Sequence, residues 1–99
     1  MSKNNIPQEF WDRADEVIEI ANKQVKNSSI GDVSSSLLYA AARFNSFNVS
    51  SSANSAEDIK LDKENAIEYF TNQYRKMLEE NINDYIENFP DCSHHESNS

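Results

Sequence analysis

One glycine and two prolines in 99 residues leave little turn chemistry from which to build a β-rich fold. No stretch alternates strictly between apolar and polar residues either, so a helical chain is expected. The same scarcity excludes a glycine-rich phosphate loop, and there is no Gly-x-Ser-x-Gly elbow, His-Glu-x-x-His pair or Cys-x-x-Cys motif. Cysteine occurs once, as Cys92, which cannot close an internal disulfide; a reducing, cytoplasmic setting fits that. Long apolar runs are missing too. The longest, residues 37–42, has six members, against the ~20 that a membrane-spanning helix needs. The first eight residues have neither the basic nor the apolar region of a secretory signal.

Basic charge is the remaining shortage. Seventeen Asp and Glu against nine Lys and Arg give a net charge of -8, and no basic cluster exceeds Arg75-Lys76. Binding to nucleic acid depends on Lys and Arg neutralising phosphates, so neither nucleic acid nor an anionic membrane is expected as a partner.

What the chain does have is helical periodicity. Phe10, Ala14, Val17, Ile18, Ala21 and Val25 recur every three or four residues and predict a first helix over about 7–26. Gly31 is suited to ending it in a left-handed conformation. A second helix is predicted over about 33–49, with Asp32 as its N-cap. Val33, Leu37, Ala40, Ala41 and Phe44 form one stripe, and Leu38, Tyr39, Ala42 and Phe47 place apolar surface elsewhere. Such a helix is expected to be central and enclosed by protein.

A polar, Ser-rich connection over residues 50–61 precedes a third helix over about 63–89, with Asp62 as its cap. Ile67, Phe70, Tyr74, Met77, Leu78, Ile82, Tyr85, Ile86 and Phe89 supply its apolar side. The expected architecture is therefore all-α: an arm over 1–6, one three-helix bundle over 7–89 and a disordered polar tail over 90–99. Ile82, Tyr85, Ile86 and Phe89 make a patch too large to leave in water, which points to completion of the bundle by a homodimer.

Chemistry has little to stand on. Both histidines, His94 and His95, lie in the tail beside Cys92, so no helix carries a His that could serve as a base or as a bundle metal ligand. Cys92, His94 and His95 are metal-ligand types, but their spacing matches no structural zinc framework; a solvated tail without metal is expected. No cofactor is expected. The most informative polar position is Arg43, set among the apolar residues of the second helix. Its guanidinium has two readings: an ion pair with a carboxylate of another helix or subunit, or recognition of an anionic ligand together with Tyr39 and Asn45.

The segment Val33-Ser34-Ser35-Ser36-Leu37-Leu38-Tyr39-Ala40-Ala41-Ala42-Arg43-Phe44-Asn45 is similar to the hallmark segment of a family of short proteobacterial proteins of unknown function. Flanking pieces resemble it as well: Phe10-Trp11-Asp12-Arg13-Ala14-Asp15 with Ala21-Asn22 before, and Ala66-Ile67-Glu68-Tyr69-Phe70, Tyr74, Lys76-Met77-Leu78-Glu79-Glu80-Asn81 and Asp84-Tyr85 after. The resemblance implies a bacterial, cytoplasmic, helical protein, and brings no activity, cofactor or catalytic residue with it. Taken together, a non-enzymatic, homodimeric interaction or regulatory module is expected. The alternative is a small-molecule binder or sensor for an anionic ligand, with its site near Tyr39, Arg43 and Asn45.

Overall fold

A computed structural model describes residues 5–90. Among them are three α-helices and no strand: α1 (Gln8–Val25), α2 (Ile30–Ser51) and α3 (Ala56–Asn88). The all-α, three-helix expectation holds, while several boundaries move for local reasons. The tail cluster Cys92, His94 and His95 lies outside the described residues.

Pro7 stands at the N-cap of α1 with no side-chain cap, and its carbonyl accepts the Phe10 N–H at 3.0 Å. At the other end, tight bonds from Lys26 N–H to the Lys23 carbonyl and from Asn27 N–H to the Gln24 carbonyl close the last turn. Gly31 is not needed to end α1. It lies inside the first turn of α2, outside the left-handed region. The cap of α2 is Ser29, whose Oγ accepts the Asp32 N–H at 3.0 Å while its carbonyl accepts the Val33 N–H. Asp32 is therefore not the N-cap, but an acidic residue of the first turn, where it faces the positive end of the helix dipole.

The Ser-rich stretch corrects the loop expectation most. Ser50, Ser51 and Ser52 donate their hydroxyls to the carbonyls of Phe47, Asn48 and Val49, satisfying acceptors that the end of α2 leaves open. Three residues later Ser55 begins α3: its Oγ accepts the Asp58 N–H at 3.2 Å, and Asp58 Oδ2 accepts the Asn54 N–H at 3.1 Å. The arrangement is related to a capping box, with the returning acceptor taking the N–H one residue before the cap. It starts the helix at Ala56, seven residues before the predicted start, and leaves Asp62 in the helix interior. Pro90 accounts for the other end, since the residue before a proline is pushed to an extended conformation, and Phe89 has φ -63° and ψ 127°.

The chain divides into two compact units, Met1–Ala42 and Arg43–Ser99, with the division inside α2. The first holds α1 and the opening of α2; Trp11, Ala21, Val25 and Leu37 are half-buried there, and Phe10 and Trp11 meet edge to face at 4.9 Å. Val33, 6% exposed, is the single fully buried core residue among those described. In the second unit the half-buried helical positions are Asn45 and Val49 of α2 and Ile59, Ala66, Phe70, Gln73 and Asp84 of α3.

The expected enclosure of α2 is not found within one chain. Leu38, Tyr39, Phe44 and Phe47 are all exposed, Phe44 by 67%. The covered positions of α2 are Val33 and Leu37 in the first unit and Asn45 and Val49 in the second, each pair one turn apart, and apolar residues on other sides of α2 remain in solvent.

Candidate functional site

The first candidate is the polar constellation on α2. Tyr39 and Arg43 are four residues apart, one turn, and so share a side of the helix; both are exposed. Asn45 lies two residues beyond Arg43, roughly 200° further round at ~100° per residue. It is half-buried, as is Val49 one turn further on. The three residues therefore do not converge: Tyr39 and Arg43 form one outward pair, and Asn45 turns toward the packing side. Arg43 is exposed, so the desolvation cost that would have demanded a buried carboxylate partner does not arise.

A second feature is a polar depression of about 210 Å³ in the first unit, lined by Gln24, Asn27, Ser28, Asp32, Val33 and Ser36. Its donors and acceptors are the ones that end α1 and start α2, and Ser28 and Asp32 flank the Ser29 cap. Helix termination accounts for them. Among the described residues no group of three or more His, Cys, Asp or Glu could hold a metal ion. No described helix is long and apolar enough to cross a membrane.

The third candidate is on α3, and it is the most extensive. With 33 residues, α3 is about 50 Å long at ~1.5 Å per residue. The nine residues of α2 in the same unit, 43–51, span only about 13 Å. Most of α3 therefore lacks a companion helix inside its own unit. Its half-buried positions define one face: Ile59, Ala66, Phe70, Gln73 and Asp84, spaced seven, four, three and eleven apart.

A different face, centred roughly 120° away at ~100° per residue, carries Ile67, Thr71, Tyr74, Leu78, Ile82, Tyr85 and Phe89, all exposed. Around its middle is a shallow depression of about 330 Å³, lined by Thr71, Tyr74, Leu78 and Ile82 and bordered by Arg75 and Glu79. Those two charges form an i,i+4 ion pair at 3.5 Å. Sequence reading merged both apolar faces of α3 into one. The separating signal was present: exposed positions recur as 67, 71, 74, 78 and again as 78, 82, 85, 89, an eleven-residue period interrupted to the eye by the polar Thr71.

These features define a class before a family: an all-α, three-helix protein with exposed apolar helix faces and no reactive constellation among the described residues. The fold has a solved counterpart, the NMR structure of the protein NB7890A from Shewanella sp. The two are 38% identical, with a TM-score of 0.72, over 86% of this chain and 91% of that one. Residues 10–86 match the family described as protein of unknown function (DUF3144), and the chain belongs to that family. The resemblance to a family of unknown function seen in the sequence is thereby confirmed. No curated protein matches.

Proposed function

We propose that this protein is a non-enzymatic, cytoplasmic protein-interaction module, acting through the apolar helix faces that a single chain leaves in solvent. One observation carries this reading. Only Val33 is fully buried among the described residues, while large apolar side chains line exposed faces of α2 and α3. Single exposed apolar residues are ordinary on any protein, but a contiguous stripe along a helix is characteristic of a surface that meets another protein. Neither the family's description nor that of the similar solved structure names an activity, so support comes from surface chemistry alone.

Native elution of the endogenous protein from cell extract tests the reading. It should elute above the size of a single 11.3 kDa chain. Leu78→Asp should return it to single-chain size with helical circular dichroism retained. Unchanged elution at single-chain size for both would refute it.

A second reading rests on Tyr39 and Arg43, which share an exposed side of α2, and it takes an anionic small molecule as ligand. Thermal-shift screening against carboxylate and phosphate metabolites discriminates the two. A rise in melting temperature that Arg43→Ala abolishes would favour this reading; silence would favour the first.

A further inference from the structure

We propose that the exposed stripe of α3 is covered by the same stripe of a second copy, the two helices running antiparallel about a two-fold axis at Leu78. This rests on the interaction reading above and names its partner.

The spacing of the stripe is the first support. Counted from Leu78, its members lie four residues away on either side (Tyr74, Ile82), then seven (Thr71, Tyr85), then eleven (Ile67, Phe89). An antiparallel copy centred on Leu78 sets each residue against its counterpart, Tyr74 facing Ile82 and Ile67 facing Phe89. All seven positions are used, whereas moving the centre toward either end leaves a terminal aromatic or aliphatic residue in water. An eleven-residue repeat corresponds to 3.67 residues per turn, close to the ~3.6 of a straight helix, so the stripe does not drift off the contact along its length.

Area is the second. Tyr74, Tyr85 and Phe89 are 48%, 69% and 62% exposed. At roughly 200 Å² per ring-bearing side chain they hold about 350 Å² to bury. Ile67, Leu78 and Ile82, each near half exposed, bring the stripe to roughly 600 Å². A standard interface buries ~800 Å² per partner, and the methylenes of flanking charged residues supply the remainder.

Charge decides the direction. Arg75 and Glu79 lie on the same flank of the stripe. In an antiparallel two-fold pair each flank meets the identical flank of the other copy. Arg75 then comes within about two residues' rise, ~3 Å along the axis, of the second copy's Glu79, and the converse pair forms by symmetry. Two guanidinium and two carboxylate groups gather into one neutral cluster. A parallel pair would instead set this flank against the opposite one, where Met77 and Asn81 have no charge to offer.

Sedimentation equilibrium on the full chain tests the proposal. A species of twice 11.3 kDa is expected at micromolar concentration. Leu78→Asp should weaken dimerisation by more than about a hundredfold, since it places two like charges on the axis.

Glu79→Lys is the sharper variant. It lowers the net negative charge of each chain, so general repulsion would tighten the dimer; the proposed cluster instead becomes all-positive, and association should weaken about tenfold. Adding Arg75→Glu in the same chain should restore it. A dimer that ignores both Leu78→Asp and Glu79→Lys would overturn the register. A monomer in which Tyr74→Trp, placed in a Trp11→Phe background, gives fluorescence fully open to quencher would overturn the second copy and leave the interaction face intact. A monomer in which that fluorescence is shielded would overturn both.

Discussion

Single residues set the ends of these helices, and two serines, Ser29 and Ser55, start α2 and α3 where Asp32 and Asp62 were expected. Ser29 and Ser55 present short hydroxyls to first-turn N–H groups at 3.0 and 3.2 Å, leaving Asp32 and Asp58 inside their helices. Gly31 follows Ser29 within the first turn of α2 and has nothing within 4 Å of where a Cβ would stand. The glycine therefore contributes chain entropy to the unfolded state with no compensating fit in the folded one. Gly31→Ala should stabilise the protein by about 0.5 kcal/mol, raising the melting temperature by about 2 to 4 °C in a calorimetric scan. A lowered melting temperature would show that α2 does not begin where its Ser29 cap places it.

At the scale of elements, α3 owes its length to its start. Periodic apolar residues alone predicted a beginning near residue 63, because Ile59 and Leu61 are sparse and the preceding serines suggest a loop. Ser55, Asp58 and the acidic first turn extend it back to Ala56. Ser55→Ala removes one acceptor and should cost about 1 kcal/mol, while Ser55→Gly, which keeps the extended backbone accessible, should cost only a few tenths. Urea titration of the two variants side by side reads that difference. The Arg75–Glu79 and Lys60–Glu57 pairs are exposed and contribute little to α3 by themselves; the proposed importance of the first lies across the dimer axis.

For the whole molecule, the small buried core is the decisive fact. A chain whose described part buries only Val33 completely has little to offset the entropy of ordering three helices. In the proposed dimer, association supplies the missing burial, so stability should depend on concentration. The melting temperature should rise by about 3 °C for each tenfold increase in protein concentration, as measured by circular dichroism across two decades. A melting temperature independent of concentration would mean that one chain meets its own needs. Added salt should strengthen association, because two chains of net charge -8 repel one another and that repulsion is screened at short Debye lengths.

The all-α class, the three helices, the family resemblance and the absence of recognisable catalytic motifs were legible in the residues themselves, because periodicity and composition are local properties. Helix starts were legible in principle: Ser55-x-x-Asp58 is a capping pattern, overlooked because a run of serines resembles a loop. Which side of each helix finds a neighbour was not legible. Tyr39, Arg43 and Asn45 stand close in sequence, yet helical geometry turns Asn45 away from the other two. The spacing of apolar residues on α3 marks two faces, but which of them is packed and which is exposed is decided by the neighbour that α3 meets. Sequence spacing specifies how side chains are arranged around a helix axis; the partner that removes one of those sides from water is a property of three-dimensional packing.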